Sequence, residues 1–199
     1  MRSHPPKSVP RHRSCVPFWT RAIRVIAVIA AFEAMLPIMA KAHPQTRGGF
    51  TVGLDLARGT AAVSSGGSTS SREGGWGGGF RLGYAPNPKF ALGLESNTWV
   101  DVSYGSAITL GTTTAAVSVF PAEGLVLRGG VGEGHWAGAG GGTSGEVGTG
   151  WMLGAGYEFR VARSFAIGPQ IHYNQVNLQN VDYNFVNVAF AMNWYFIPE

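Results

Sequence analysis

Hydrophobic and polar positions alternate regularly towards the end of the chain. In residues 183–196, one row of alternate positions is apolar, and the positions between carry small or polar side chains; the apolar row is Val186, Val188, Phe190, Met192, Trp194 and Phe196. Successive side chains of a β-strand point to opposite faces of the sheet. The segment therefore predicts a strand with one apolar face and one polar face.

The same alternation recurs in seven earlier segments of about ten residues. They begin near Phe50, Trp76, Phe90, Ile108, Leu125, Trp151 and Phe165. No segment after residue 43 shows helical periodicity or a run of 18 apolar residues. Because a tilted strand crosses a membrane in about 9–11 residues, the pattern predicts an all-β fold, an eight-stranded antiparallel up-and-down transmembrane β-barrel.

The connections between these segments differ in length in a regular way. Tight turns at 86–89, 121–124 and 161–164 alternate with long segments at 59–75, 101–107, 134–147 and 175–182, which we expect to be flexible external loops. Short periplasmic turns and longer external loops are typical of outer-membrane barrels. A soluble all-β protein is the alternative, but it has no reason to sort its connections in this way.

If the apolar row of each strand faces lipid, the opposite row faces the lumen. Polar and charged residues share that row, namely Asp55, Arg81, Glu95, Arg128, Glu158, Gln170 and His172. Side chains can fill an eight-stranded barrel, so we predict a structural network in which the two arginines neutralise the three carboxylates. A polar conduit for water or small ions and a catalytic carboxylate–histidine site are the alternatives.

Aromatic residues near the strand ends predict belts at the two membrane–water interfaces. The residues are Trp76, Tyr84, Trp99, Trp151, Tyr173 and Trp194, with Tyr104, Tyr183 and Tyr195 as further candidates. Ordinary strand propensity of aromatic side chains is the alternative explanation.

The first 42 residues differ in composition from the rest. A basic segment precedes the apolar residues 25–32, and Ala40-Lys41-Ala42 has the small-residue pattern of a cleavage site before His43. We therefore expect a cleaved signal peptide at 1–42, a short segment at 43–47, a barrel at 48–196 and a tail at 197–199.

Removing that leader changes the charge of the protein. Seven of the 15 basic residues and one of the 11 acidic residues lie in 1–42, so the mature chain carries eight basic and ten acidic residues, a net charge of −2. The basic pI of the whole chain therefore gives no support for nucleic-acid binding. Since Cys15, the one cysteine, is also in the leader, the mature chain has no disulfide and no cysteine metal site.

Residues 193–196 (Asn-Trp-Tyr-Phe), 154–159 and 165–170 resemble small outer-membrane barrels of the OmpA/OmpX type. The resemblance covers about 48–196 and implies an outer-membrane location, contact with outer-membrane lipid and insertion by the barrel-assembly machinery. It also implies a C-terminal assembly signal, formed by Val188, Phe190, Met192, Trp194 and Phe196.

Motifs for chemistry are weak. Lipid A deacylases of this architecture use a histidine and a serine two residues apart, but here Asn174 follows His172 at that spacing, so the nucleophile is missing. The glycines at 140–145 fit a dinucleotide motif only by composition, and the histidines at 43, 135 and 172 lack metal-site spacing. We predict no metal and no cofactor.

The sequence thus predicts a non-enzymatic integral outer-membrane barrel with a structural or surface-contact role in the envelope. A narrow pore for water or small ions is the first alternative, and a lipid-modifying enzyme is the second. The external ligand, if there is one, is left open.

Overall fold

The computed structural model describes residues 47–103, 106–139, 143–179 and 181–196. Its strands are β1 (Gly49–Ser65), β2 (Ser68–Thr69), β3 (Glu73–Asn87), β4 (Phe90–Ser103), β5 (Ser106–Val119), β6 (Leu125–Ala139), β7 (Thr143–Tyr157), β8 (Phe159–Ala162), β9 (Phe165–Leu178) and β10 (Val181–Phe196). Within these ranges no helix is long and apolar enough to cross a membrane. The predicted signal peptide and the tail at 197–199 lie outside the described residues.

The strands close into an antiparallel barrel. Each long strand pairs with the next, and β10 pairs with both β9 and β1, so the sheet has no open side. β7 and β8 both pair with β9 and form one barrel strand interrupted at Glu158, whereas β2 only extends the hairpin after β1. The predicted eight-stranded all-β barrel is confirmed.

The strands are strongly staggered. Following the paired residues from strand to strand around the barrel, a path that starts at Phe50 in β1 returns to β1 at Thr60, ten residues further along. The path passes through Tyr84, Leu92, Val117, Gly129, Leu153, Tyr173 and Val186. Such a stagger requires strands tilted by about 35–45° from the barrel axis, and eight strands at this tilt leave an interior that side chains can fill.

Side-chain alternation separates an apolar outer surface from the interior. The exposed large apolar residues of the strands include Phe50, Leu54, Leu56, Phe80, Leu82, Leu92, Leu94, Val117, Leu127, Val131, Leu153, Ile171, Val188 and Phe190. An apolar surface of this extent on a closed barrel matches the lipid-facing band of a membrane barrel.

The two ends of the barrel differ. Residues 88–89, 120–124 and 163–164 make short connections at the end where β1 begins and β10 finishes, which we call the inner end. The hairpins β1–β3, β4–β5, β6–β7 and β9–β10 turn at the opposite, outer end.

The prediction of long flexible loops at the outer end is wrong for most of those residues. β6 and β7 are paired from Leu125 and Tyr157 up to Ala139 and Thr143, through the glycine-rich segment predicted to be a loop. Glycine is required in this ladder: a Cβ on Gly134 would lie 2.7 Å from Cγ1 of Val176. The glycines allow the strands to pack closely, and they do not break them.

Two groups of buried apolar residues lie at opposite ends of the lumen. The outer apolar cluster consists of Ala61, Trp99, Leu110, Val176, Leu178 and Phe185, with Trp136 and Tyr183 packed against it. The inner apolar cluster consists of Ala85, Ala91, Phe120 and Val126. The polar residues of the lumen lie between them.

Candidate functional site

The structure brings all seven predicted lumen residues into the interior. Asp55, Arg81, Glu95, Arg128, Glu158, Gln170 and His172 are each at most 9% exposed. They come from β1, β3, β4, β6, β9 and the break between β7 and β8, so the network connects strands around the whole barrel.

Arg81 is the centre of the first half of this network. Its guanidinium donates two hydrogen bonds to the Asp55 carboxylate, at 2.5 and 2.9 Å, and a third to Oδ1 of Asn193 at 2.9 Å. The same guanidinium lies 3.6 Å from Oε1 of Glu95. Since Asp55, Asn193 and Arg81 belong to β1, β10 and β3, these bonds cross the seam between the first and last strands.

Glu158 is the centre of the second half. Its carboxylate accepts hydrogen bonds from Nε of Arg47 (3.1 Å), Nδ2 of Asn193 (3.1 Å) and the Tyr195 hydroxyl (2.8 Å). Nη2 of Arg128 lies 3.6 Å from the same carboxylate. The break between β7 and β8 therefore places a fully buried acid where residues from β10, β6 and the segment before β1 meet.

His172 joins the two halves. Its Nδ1 lies 3.0 Å from Oδ1 of Asn97 and 3.3 Å from Oε1 of Glu95, and its Nε2 lies 3.1 Å from Oε1 of Gln170. Arg128 donates to the same oxygen of Gln170. The ring is 1% exposed.

Three of these residues are of types that can bind metal ions. One oxygen or nitrogen from each of Asp55, Glu95 and His172 falls within 4.8 Å of the others. Arg81 already places its positive charge 2.5 Å from Asp55 and 3.6 Å from Glu95. A cation entering this cluster would be repelled by that guanidinium, so the chemistry of the donor set fits an ion-pair network better than a metal centre.

The lumen narrows at both ends of the network. At the inner end, the Arg47 guanidinium stacks on the Phe120 ring at 4.0 Å, and that of Arg160 stacks on Tyr195 at 4.6 Å. The outer apolar cluster fills the other end. Two small cavities border Arg81, each of about 30 Å³, which is enough for water.

The predicted interfacial aromatics divide into two groups. Trp76 and Tyr84 are exposed, and Trp151 with Tyr173 and Phe165 with Trp194 form half-buried ring pairs, with centroids 5.3 and 4.9 Å apart. The prediction that Trp99 lies in an interfacial belt is wrong, because this residue is 3% exposed and belongs to the outer apolar cluster. It lies in the same alternate row as Glu95, so its strand turns it into the lumen.

The further candidates Tyr183 and Tyr195 also face inward, against the outer apolar cluster and Glu158 respectively. The prediction that these two lie in interfacial belts is therefore wrong. Tyr104 lies outside the described residues. In the predicted assembly signal, Val188, Phe190 and Phe196 are exposed, and Met192 and Trp194 are half-buried.

Several lumen residues were missed by the sequence analysis. Buried uncharged polar side chains complete the interior, namely Asn97, Thr112, Thr114, Asn174, Asn187 and Asn193. Each lies opposite the apolar row of its strand, and that alternation would have identified it. Arg47 lies before β1, where no alternation can indicate its direction.

This closed barrel, with its apolar outer surface and ion-paired lumen, belongs to the class of small outer-membrane β-barrel proteins. The outer membrane protein beta-barrel domain family matches residues 28–196, and the chain belongs to that family. A comparison with curated proteins finds no match.

Solved structures show the same fold. The structure of Neisserial surface protein A (NspA) has a TM-score of 0.56 and 15% identity, covering 74% of this chain and 97% of that one. Ail, the attachment invasion locus protein of Yersinia pestis, gives 0.52 and 16%, covering 74% and 99%. Ail in complex with the heparin analogue sucrose octasulfate gives 0.51 and 16%, covering 73% and 99%. The predicted outer-membrane location agrees with this family.

Proposed function

We propose that the protein is a non-conducting, non-enzymatic outer-membrane barrel that acts through its outer surface, as a structural and surface-contact element of the envelope. One observation carries this proposal. The ion pairs of Arg81 and Arg128 occupy the middle of the lumen, and apolar clusters occupy both ends.

The contents of the lumen argue against a pore. The carboxylates of Asp55, Glu95 and Glu158 are occupied by arginine partners, so a passing ion would have to displace a buried pair. Beyond that pair it would have to pass Trp99, Leu110 and Phe185, which offer an ion no replacement for its hydration shell.

The same geometry argues against lipid-modifying chemistry. His172 and Asn174 are 1% and 0% exposed and face the lumen, where a lipid substrate has no access. Asn174 accepts a hydrogen bond from Thr112 at 2.9 Å and offers no nucleophilic oxygen.

Planar bilayer recording tests the proposal. We expect the purified wild-type barrel to show no discrete current steps under conditions in which a porin shows them. Steps that change size in Arg128→Gln, but not in the matched control Lys89→Gln, would contradict the proposal and establish the narrow pore. Lys89 is exposed in the inner β3–β4 turn and lies outside the lumen.

The outer surface also bears on what the protein contacts. Acidic residues outnumber basic ones towards the outer ends of the strands: among the described residues, Glu73, Glu133, Glu146 and Asp182 are exposed there, against Arg58 and Arg72. Ail is solved with a heparin analogue. We propose that this chain does not share such a ligand, because sulfated polysaccharides are long polyanions and the exposed acidic residues around this end outnumber the two arginines on its β1–β3 side.

A heparin column tests this difference. We expect the detergent-solubilised protein to pass unretained at physiological salt while Ail is retained. Retention that disappears as salt increases would contradict the proposal, since it would show that the basic residues of this end outweigh its acidic residues in binding a polyanion.

A further inference from the structure

Arg58 is a charged residue on the outside of the barrel, in the row that otherwise faces lipid. It follows Leu54 and Leu56 on the same face of β1, and both of these leucines are exposed. Val188 of β10 is its direct partner in the register, and is also exposed. A charge in this row requires a compensating group, because hydrocarbon solvates it poorly.

The position of Arg58 along the barrel indicates what that group can be. Arg58 follows Phe50 by eight residues, which at 3.3 Å per residue and a tilt of 35–45° is about 20 Å towards the outer end. The lipid-facing band of such barrels is about 25 Å tall. Taking Phe50, whose register partners Tyr84 and Phe196 are also aromatic, as the inner edge of that band places Arg58 close to the outer boundary of the membrane, at the height of lipid headgroups.

The Arg58 guanidinium lies over the Trp76 ring. The two residues are opposite each other in the register of β1 and β3, and the guanidinium carbon lies 4.3 Å from the indole centroid. Stacking uses the face of the guanidinium and leaves its N–H groups free at the edge. Within the part of the chain that the structure describes, no carboxylate forms an ion pair with Arg58.

A second arginine lies above the first. Arg72 donates from Nε to the Thr60 hydroxyl (2.9 Å), from Nη2 to the Thr60 carbonyl (2.8 Å) and from Nη1 to Oδ1 of Asn184 (2.6 Å). Thr60 is the next residue after Arg58 on the outward face of β1. Three bonds fix the Arg72 guanidinium at the outer end, and its other N–H groups remain available.

We propose that Arg58 and Arg72, with Trp76, form a binding site for a phosphate group of the lipopolysaccharide in the outer leaflet. A guanidinium binds phosphate through paired N–H groups, and here one guanidinium at the membrane boundary and another just above it present such groups on one outward face. The Trp76 ring, 61% exposed, lies where acyl chains begin. This proposal does not depend on whether the lumen conducts.

Native mass spectrometry of the detergent-solubilised full chain tests the site. The probes are diphosphorylated lipid A, the same lipid with both phosphates removed, and phosphatidylglycerol. We expect the wild type to retain one diphosphorylated lipid A, and Arg58→Gln with Arg72→Gln to weaken its retention about tenfold or more. The matched control is Arg163→Gln, which removes an exposed arginine from the inner β8–β9 turn and should leave retention unchanged.

A folding control and a conservative variant complete the test. Heat-dependent gel migration must show that the variants are folded. Arg58→Lys should retain part of the binding because it keeps the charge. Equal retention of lipid A by the wild type and the double variant would overturn the site. Equal retention of phosphatidylglycerol or of the dephosphorylated lipid by the wild type would overturn its assignment to lipopolysaccharide phosphate.

Discussion

At the scale of single residues, each buried carboxylate of the lumen lies within 4.0 Å of an arginine. Glu158 is the residue on which most groups converge, with Arg47, Arg128, Asn193 and Tyr195 around one carboxylate. The value of such a residue lies in its charge, because without it Arg47 and Arg128 would each lose a carboxylate partner while remaining buried.

We therefore expect Glu158→Gln to lower the free energy of unfolding by about 3–5 kcal/mol, the range for removing one partner of a buried ion pair. Urea titration in lipid vesicles, with the folded fraction followed by gel migration, measures it. Glu123→Gln is the matched control, since Glu123 is exposed in the β5–β6 turn. Equal unfolding midpoints for the two variants would show that the buried charge contributes nothing.

The sequence was sufficient to predict that seven polar and charged residues face inward, but it missed Arg47 and Arg160, and it did not predict which charges pair. Arg81 lies directly opposite Gly53 and Glu95 in the two registers, yet its shortest bond is to Asp55. Arg128 reaches Gln170 on β9 across the intervening β7. Such contacts depend on the stagger accumulated over all eight barrel strands, and no single segment of sequence contains that information.

At the scale of strands and hairpins, glycine and tryptophan both gave misleading signals. The glycines of 134–148 predicted a loop, but Gly134 and Gly148 are paired with each other in the β6–β7 ladder. Neighbouring side chains and backbone occupy the space that a Cβ would need at these two positions, so glycine fits the ladder there. Trp99 was predicted to lie in an interfacial belt because it is near a strand end. Trp99 shares its alternate row with Glu95, and this stronger signal indicated that the side chain faces the lumen.

The β6–β7 hairpin supplies a test at this scale. We expect the amides of 133–138 and 145–149 to exchange with solvent on the order of tenfold or more slowly than those of the exposed turn at 66–67, since ladder hydrogen bonds protect them. Hydrogen exchange followed by mass spectrometry measures this. Exchange in the hairpin as fast as in the turn would restore the interpretation of this segment as a flexible loop.

At the scale of the whole molecule, the protein is a membrane-spanning cylinder with apolar residues outside and paired charges inside. Eight strands and a stagger of ten residues fix its width, so the interior has room for side chains but for little else. Alternation and strand number were enough to predict this architecture. The two apolar clusters at the ends of the lumen were not predicted, because their members come from seven different strands and one turn.

The measurement that tests the closed lumen most directly is osmotic water permeability. Water is the smallest molecule that a narrow pore could carry, and stopped-flow light scattering follows its passage out of vesicles that contain the folded protein. The account predicts shrinkage no faster than that of protein-free vesicles of the same lipid and size. Faster shrinkage that increases with the amount of folded protein would contradict it, and would make the network around Arg81 and Glu158 the lining of a water path.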